Sequence, residues 1–510
     1  MLYYKGMNNT NFTKPWALCI GSDRLSTMLR SEYWEHFKTL QSIMSVKYIR
    51  CHGLLCDELG VVRRMEYEGK KQLIYNFTYL DQIFDTMLAH TVRPYIEWGF
   101  MPSAIASGEQ KVFWWQGNVT PPSDFSEWAD LLRALTEHWI ERYGKEEVIS
   151  WPNEIWNEPN LTVFWKDADQ KAYFKLYEVS VKTLKNIDSR IQVGGPAICG
   201  GSDHWIDDFL SFVKEHKLPL DNFTRHLYTA EPPVKQGPEF FYHFLSPAQK
   251  PLDELDSVRK RIDAAGFSSV PLHITEFNTS YNPRCLVHDS AFNAAYLARL
   301  LAEAGKYTAL MSFWTFCDVF EEADIPRALF HGGFGLIGRW GIKKPTFYLF
   351  EFFNKLTAAV IYQDESAIAS LHEDGSITLI AWNPCPKDSE KSAVKKTVVL
   401  DWRNGSALAL RQRISENFCN PWKIWKEAGR PLNPGKKLID CLIKEAVPGI
   451  ETAVISAEKG KLSLSLTLEV NEVSCVELSV FKDDSSLYIG LDDNNVDGYT
   501  DTVVRKPGLS

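Results

Sequence analysis

The feature that most constrains the fold of this chain is a regular alternation of two hydrophobic patterns between residues 16 and 357. Eight short apolar runs, rich in β-branched and aromatic residues, alternate with segments whose apolar residues recur at helical spacing. The runs are mostly apolar throughout, as expected for parallel strands that are covered on both faces. The predicted strands are WALCIG (16–21), KYIRCHG (47–53), VRPYIEWG (92–99), NEIWNE (153–158), QVGGPA (192–197), NFTRHLYT (222–229), PLHITEFN (271–278) and LMSFWTFCD (310–318).

The segments between these runs predict helices. One of them places a stripe of apolar side chains on a single face, with Asp124 just before it as an N-cap; the stripe is Trp128, Leu131, Leu132, Leu135 and Trp139. Strands alternating with helices over about 340 residues predict an α/β fold of the (β/α)8 (TIM) barrel type. A doubly wound sheet is the alternative. It needs a glycine-rich turn after its first strand, which residues 21–24 do not supply.

The pattern changes after residue 357. Asp374 and Gly375 lie between two short apolar runs, a signal typical of a β-hairpin. Residues 462–470 (LSLSLTLEV) alternate strictly, as a half-buried strand should. With the runs at 397–400 and 473–480, they predict an antiparallel β-sandwich domain over 358–510 that packs rigidly on the barrel at 16–357. We expect the segment 1–15 to pack with the β domain.

Charge and hydropathy exclude several classes of partner. Lys and Arg total 56 against 65 Asp and Glu, a net charge of −9, which argues against nucleic acid or an anionic membrane as partner. No uncharged run reaches the ~18 residues that a membrane span needs. The first residues lack the apolar core of a signal peptide, so the sequence predicts a cytoplasmic location.

The sequence also predicts neither a metal nor an organic cofactor. Its 10 cysteines are scattered, which indicates free thiols. Cys51, His52 and Cys56 form the tightest cluster, but the further ligands of a zinc site are missing. The glycine-rich run HGGFG (331–335) lacks the Lys-Ser/Thr pair of a phosphate-binding loop.

Two glutamates are predicted at the carboxyl ends of strands, where barrel enzymes place their chemistry. Glu158 ends the fourth strand and Glu276 lies near the end of the seventh. Barrel geometry lets such a pair approach to ~5 Å, the spacing of glycosidases that act by double displacement. One carboxyl would donate a proton to the departing oxygen and the other would attack the anomeric carbon, because adjacent like charges push their pKa values apart. Each glutamate alone also fits an ordinary loop, so the prediction rests on their joint occurrence.

Across nearly its whole length the chain resembles glycoside hydrolase family 39, and within it the bacterial β-D-xylosidases. The motifs that carry the resemblance are YIRCHGLLCDELG, RPYIEWGFMP, WWQGNVTPP, EIWNEPNL, FWKDADQKAYFKLY, VGGPAICGG, RHLYT, HITEFNTSY, FWTFCDVFEE, HGGFGL, KPTFY, LIAWNP, NPWKIW and YIGLDD. The resemblance implies a retaining mechanism, a clan A (β/α)8 catalytic domain and a β-sandwich accessory domain.

The resemblance also implies roles at the reacting bond. Glu158 would be the general acid/base and Glu276 the nucleophile. Asn157 would hydrogen-bond the sugar 2-hydroxyl, and Tyr228 would donate its hydroxyl to Glu276. Without the resemblance, Asn157 also fits a helix cap and Tyr228 a half-buried core residue.

Further residues would hold the bound xylose. His52 and His226 would hydrogen-bond sugar hydroxyls, Trp314 would offer a flat apolar face, and Glu321 and Glu322 would reach the far hydroxyls. Taken singly, the histidines and Trp314 fit structural roles better, and the two glutamates fit a solvated turn better. An aromatic content of 13% suits either a large core or a pocket that stacks on sugars.

The sequence departs from the expected pattern in three places: Cys51 stands where a glycine is expected, and the regions 228–250 and 283–288 look individual. We expect such loops to shape the leaving-group side of the site.

The predicted function is a retaining exo-acting β-xylosidase for xylo-oligosaccharides. An α-L-iduronidase and a non-catalytic sugar-binding barrel are the alternatives. The resemblance further implies a homotetramer, for which residues 487–499 are a candidate contact.

Overall fold

The (β/α)8 barrel predicted from the sequence is present. The computed structural model describes residues 12–481, 490 and 492–498. Eight parallel strands close into a barrel in which neighbours follow one another along the chain and the first pairs with the last. They are β1 (Cys19–Arg24), β2 (Tyr48–His52), β3 (Arg93–Trp98), β4 (Asn153–Ile155), β5 (Val193–Ile198), β6 (Asn222–Tyr228), β7 (Leu272–Asn278) and β8 (Leu310–Phe313).

A helix follows each strand, which confirms the (β/α)8 architecture. Asp124 accepts a hydrogen bond from the backbone N–H of Ser126, and the apolar stripe that follows it is buried against the barrel. The helices are α1 (Ser31–Gln41), α2 (Thr78–Ala89), α3 (Phe125–Tyr143), α4 (Gln170–Ile187), α5 (Asp203–Glu215), α6 (Lys250–Ala264), α7 (Ala291–Glu303) and α8 (Pro345–Lys355).

Three strands differ from the prediction by three residues or more: β8 ends at Phe313 rather than at residue 318, and β1 and β4 differ for local reasons. β1 begins at Cys19 rather than at residue 16, because Pro15–Ala17 form a 3₁₀ turn that a proline starts readily. β4 ends at Ile155, and the chain then turns sharply, with φ of +72° at Trp156 and +44° at Glu158. Positive φ is uncommon for residues other than glycine and concentrates at functional sites.

The second part of the chain is an antiparallel β-sandwich. A six-stranded sheet has the order β9-β10-β11-β16-β13-β14, and β12 pairs with β15 against it. Apolar side chains from both sheets form one core, and the turn at 374–375 joins β10 to β11 as predicted. The strands are β9 (Val360–Asp364), β10 (Ala367–Leu371), β11 (Ile377–Asn383), β12 (Val394–Asp401), β13 (Ser406–Ile414), β14 (Gly449–Ser456), β15 (Lys461–Leu468) and β16 (Glu472–Val480).

Some elements were not predicted. Between β13 and β14 lie two helices, α9 (Pro421–Glu427) and α10 (Lys436–Glu445). A hairpin of Val62–Tyr67 and Lys70–Tyr75 follows β2. Two short ribbons join Lys111–Val112 to Gly117–Asn118 and Lys235–Gln236 to Phe241–Tyr242.

The barrel and the sandwich share a continuous apolar core. Trp382 on β11 lies 6.1 Å from the ring of Phe353 on α8, and both are buried. At the edge of this contact, Lys355 Nζ is 2.6 Å from Glu477 Oε1. The described residues of the segment 1–15 contact the barrel instead: Lys14 Nζ donates to the backbone oxygen of Asn354 at 2.6 Å. The rest of that segment, 1–11, lies outside the described residues.

Two predictions about the whole chain can be compared with this fold. All 10 cysteines are free thiols, and most are buried. Among the helices that the structure describes, none has both the length and the apolar character to cross a membrane.

Candidate active site

A cavity of about 1260 Å³ opens at the carboxyl ends of the barrel strands. It is lined by side chains at or just after the ends of β2, β4, β6, β7 and β8, together with loops and the N-terminal part of α6. Seven of the residues singled out in the sequence line it: His52, Asn157, Glu158, Tyr228, Glu276, Trp314 and Glu322. The regions 228–250 and 283–288, which depart from the expected sequence pattern, also line the cavity, through Ala230, Lys250 and Pro283.

Glu276, on β7, is held at both carboxylate oxygens. Arg50 Nη1 donates to Oε1 at 2.7 Å, and the Tyr228 hydroxyl donates to Oε2 at 2.7 Å. The residue is only 4% exposed. Two donors to one carboxylate fix its direction and favour its ionised form.

Glu158 faces Glu276 from the turn after β4 and is 7% exposed. Its backbone N–H donates to the Ala197 oxygen at 2.9 Å, which anchors the turn to β5. His226 Nδ1 lies 2.7 Å from Glu158 Oε1 and 3.5 Å from Glu276 Oε2. An oxygen of Glu158 and an oxygen of Glu276 lie within 4.8 Å of each other.

The two carboxyls have different electrostatic surroundings. Burial raises the pKa of Glu158 well above its usual range, and the charge of Glu276 raises it further. Burial also raises the pKa of Glu276, but the Arg50 guanidinium and the hydrogen bond from Tyr228 oppose that rise. Because burial keeps the pKa of Tyr228 well above 10, its hydroxyl stays protonated and donates. When the pair holds a single proton, that proton therefore resides on Glu158.

Sequence reasoning missed the residue at the centre of this site, Arg50 on β2. Its fully buried guanidinium contacts Glu97 Oε2 at 2.9 Å and Glu154 Oε2 at 2.6 Å in addition to Glu276. Its Nη2 also donates to Asn157 Oδ1 at 2.9 Å, which orients that amide at the cavity wall. A signal was available, because charged residues interrupt the otherwise apolar predicted strands 47–53, 92–99 and 153–158.

His52, Trp314 and Glu322 form the inner wall of the cavity. The two rings are 4.7 Å apart, and His52 Nε2 lies 3.7 Å from both Glu276 Oε1 and Glu322 Oε1. Burial lowers the pKa of His52 to about 3, so its ring is neutral near pH 7. Burial raises the pKa of Glu322 well above its usual range, and the charges of Asp23 and Glu276 raise it further.

Trp314 fits only because Gly21 lies beside it on β1. A Cβ at that position would stand 2.6 Å from Cε3 of the Trp314 ring. No side chain heavier than hydrogen is compatible with that distance. The flat ring therefore owes its position to a glycine distant in sequence.

Two of the predicted sugar-binding residues lie elsewhere. His226 does not line the cavity; it is fully buried between Glu158 and Arg50, whose Nη2 is 3.4 Å from its Nε2. Since arginine only donates, Nε2 accepts and Nδ1–H donates to Glu158. Glu321 also lies outside the lining, because its carboxylate turns away from that of Glu322 and binds Arg24 at 2.9 Å and Arg30.

A buried ion cluster joins the chain segments that follow β7 and β8. Lys344 Nζ lies 2.8 Å from Asp289 Oδ1 and 2.7 Å from Asp318 Oδ2, and all three residues are buried. The aspartates accept from the backbone N–H groups of Gly332 and Gly335, each at 2.7 Å. The glycine-rich run 331–335 is thus a loop anchored by ion pairs.

Glu158, His226 and Glu276 are also spaced so that they could surround a metal ion. In this arrangement, however, their ligand atoms already contact one another, Arg50 and Tyr228. The positive charge in the centre of the site is the Arg50 guanidinium. The geometry is therefore that of a paired acid and base with its own cation.

Comparison with known proteins agrees with this geometry. A beta-xylosidase from Geobacillus stearothermophilus is 46% identical over 491 residues, which cover 96% of this chain and 97% of that protein. A beta-xylosidase from Caldicellulosiruptor saccharolyticus is 34% identical over 454 residues, covering 87% and 90%. The crystal structure of a monomeric beta-xylosidase from Caulobacter crescentus CB15 has a TM-score of 0.83 at 30% identity, covering 92% of this chain and 98% of that one.

The family comparison gives the same result on the scale of the whole chain. The sequence model described as glycosyl hydrolases family 39 matches residues 2–463, which include the barrel and most of the sandwich. Both carboxylates that such an enzyme requires lie in one cavity, which argues against a non-catalytic sugar-binding barrel. The chain is a glycoside hydrolase and belongs to glycosyl hydrolases family 39.

Proposed function

We propose that this enzyme is a retaining exo-acting β-D-xylosidase that hydrolyses xylo-oligosaccharides. The observation that carries the proposal is the pair of Glu158 and Glu276, whose carboxyl groups lie close together in different electrostatic surroundings. Carboxyl groups of retaining glycosidases lie about 5–5.5 Å apart, whereas those of inverting enzymes lie about 6.5–9.5 Å apart to admit water. An approach within 4.8 Å between oxygens of the two groups favours retention.

In the first step, an oxygen of Glu276 attacks the anomeric carbon while the glycosidic C–O bond breaks. Glu158 gives its proton to the departing oxygen, and a covalent xylosyl-enzyme remains. Asn157, oriented by Arg50, is placed to hydrogen-bond the 2-hydroxyl, a contact that strengthens as positive charge develops on the sugar.

In the second step, Glu158 as a carboxylate takes a proton from water. The water oxygen attacks the anomeric carbon, the bond to Glu276 breaks, and xylose is released with its configuration retained. His226 keeps Glu158 aimed through both steps. Neither step requires a metal or an organic cofactor.

The shape of the cavity supports exo action on a neutral sugar. In the wall, His52 and Trp314 are each only 2% exposed and the Glu322 side chain 11%, so the wall closes this end of the cavity. Among the described residues that line the cavity, Lys250 is the one Lys or Arg, and it lies at the opposite, exposed end. A uronic acid would therefore meet Glu322 without a cation, which disfavours an α-L-iduronidase. Two relatives that align with most of this chain are named beta-xylosidases, in line with the proposal.

The test is covalent trapping with 2-fluoro-β-xylosyl fluoride, followed by peptide mapping. We expect a xylosyl adduct on Glu276 and hydrolysis of nitrophenyl β-xyloside with initial release of β-xylose in NMR spectra. Initial release of α-xylose, or a label on another residue, would overturn the mechanism. Cleavage of an α-L-iduronide in preference to the xyloside would overturn the substrate.

Two predictions from the sequence remain predictions. A homotetramer is one; its candidate contact, 487–499, lies partly outside the described residues, and the relative from Caulobacter crescentus CB15 is called a monomeric beta-xylosidase. The cytoplasmic location is the other. Size-exclusion chromatography with light scattering and cell fractionation would test them.

A further inference from the structure

The catalytic pair divides the cavity into two halves with different linings. The inner half is the wall of His52, Trp314 and Glu322 described above. The outer half is formed by Gly200 at the end of β5 and by the first turns of α5 and α6, where Asp203, Lys250 and Asp253 are exposed. In an exo-acting enzyme the sugar that is cleaved off fills the inner half, so the leaving group must occupy the outer half.

Glu158 connects the two halves. It follows β4, and its neighbour Asn160 binds Cys199, whose backbone N–H donates to Asn160 Oδ1 at 3.2 Å. Cys199 and Gly200 both line the cavity next to Glu158. The proton donor therefore faces the outer half, as an acid that protonates a leaving group must.

One carboxylate of the outer half, that of Glu254, is held in place by a buried arginine. Glu254, on α6, accepts a hydrogen bond from Arg225 Nη2. Arg225 lies on β6 and is only 1% exposed, whereas the Glu254 side chain keeps 26% of its surface open. Within the described structure, Arg225 Nε and Nη1 have no hydrogen-bond partner, so Glu254 is the group that balances this buried cation.

Gly200 leaves the same carboxylate accessible. A Cβ on Gly200 would lie 3.3 Å from Glu254 Oε1, the oxygen that Arg225 binds, so even an alanine would crowd this carboxylate. The other acids of this half are less constrained, because Asp203 and Asp253 are exposed. Asp253 pairs with Gln249 on the surface of α6. A group held by a second layer of contacts and open to a cavity is the arrangement expected of a specific ligand contact.

We propose that Glu254 determines leaving-group specificity by accepting a hydrogen bond from a hydroxyl of the leaving xylose. This inference rests on the proposed β-xylosidase function and adds the residue that recognises the sugar beyond the cleaved bond. A sugar leaving group presents hydroxyls to the outer half, whereas an aryl leaving group presents none. The contact with Glu254 therefore favours xylobiose over an aryl xyloside.

The experiment compares kcat/KM for xylobiose with kcat/KM for 4-nitrophenyl β-xyloside, in wild type and in Glu254→Gln. The variant keeps an oxygen for Arg225 but loses the charge, and we expect the xylobiose-to-aryl ratio to fall at least tenfold. Gly200→Ala, which crowds the same oxygen without removing it, should lower the ratio in the same direction. The matched control is Asp256→Asn, because Asp256 pairs with Lys260 on α6 at 2.6 Å but does not line the cavity. Its ratio should equal that of wild type.

The outcomes separate this inference from the function on which it rests. A ratio within twofold of wild type in both Glu254→Gln and Gly200→Ala overturns the role of Glu254. Should Glu254→Gln fail to fold, the Gly200→Ala ratio decides alone. A wild-type enzyme that cleaves neither substrate refutes the proposed function instead. One that cleaves the aryl xyloside but not xylobiose overturns the inference and leaves the xylosidase chemistry standing.

Discussion

Replacing Tyr228 by phenylalanine removes one hydroxyl from the site and leaves the ring in place. In the structure that hydroxyl donates to Glu276 Oε2 at 2.7 Å and is one of two strong donors to this proposed nucleophile. The hydrogen bond stabilises the ionised carboxylate, so its removal lets Glu276 bind a proton more tightly. Because attack requires the ionised form, the enzyme should lose activity at a higher pH than wild type does.

The size of the effect follows from the strength of the bond. A hydrogen bond to a charged group contributes about 1.5–3 kcal/mol. One pH unit corresponds to about 1.4 kcal/mol, so the acid limb of the kcat/KM profile should move upward by about one to two pH units. The limb reports the coupled pair rather than Glu276 alone, but loss of a donor to one member moves it in the same direction.

The assay is kcat/KM for nitrophenyl β-xyloside from pH 4 to pH 9. Tyr296→Phe is the control: its buried hydroxyl donates to the backbone oxygen of Ser246 at 2.8 Å, away from the cavity. We expect its acid limb to match that of wild type. An acid limb unmoved in Tyr228→Phe would refute the argument that Tyr228 keeps the nucleophile ionised.

Three further perturbations test other parts of the structure. Glu276→Ala should abolish turnover, and azide should restore it by forming the inverted glycosyl azide, detectable by NMR; a retained azide would contradict the assignment. Glu158→Ala should lower kcat/KM for xylobiose by about 10²–10⁴, the contribution of general acid catalysis, while the first step with a dinitrophenyl leaving group stays within a few-fold; equal losses on both would contradict it. Lys344→Met should lower the free energy of unfolding by about 3–5 kcal/mol, because two buried aspartates lose their cation. An unchanged denaturation midpoint would show that the cluster is not structural.

Much of the fold could be predicted because the barrel repeats one pattern. All eight strands lie within or near the predicted runs, since parallel strands covered on both faces need continuous apolar sequence. The hairpin at Val62–Tyr67 and Lys70–Tyr75 lacks that signal because most of its residues are exposed. The helices α9 and α10 are short and interrupt a β domain, so strand patterns on either side obscured them.

The site was harder to predict than the fold, because contacts across the barrel join residues far apart in sequence. Arg50 contacts Glu276, 226 positions away, and no local motif records that pairing. Glu321 and Glu322 are adjacent in sequence, yet only one faces the cavity. The direction of a side chain in a loop depends on partners such as Arg24, which hydropathy patterns do not reveal.

The seam between the barrel and the sandwich limits how this enzyme can be divided. Phe353 packs on Trp382, and Gln363 Nε2 donates to the Ala302 oxygen of α7 at 3.3 Å. A polypeptide that stopped at residue 357 would leave an aromatic ring of the last barrel helix facing water instead of indole. Engineers who wish to transplant this catalytic centre must therefore move both halves together, or redesign that face with polar side chains first.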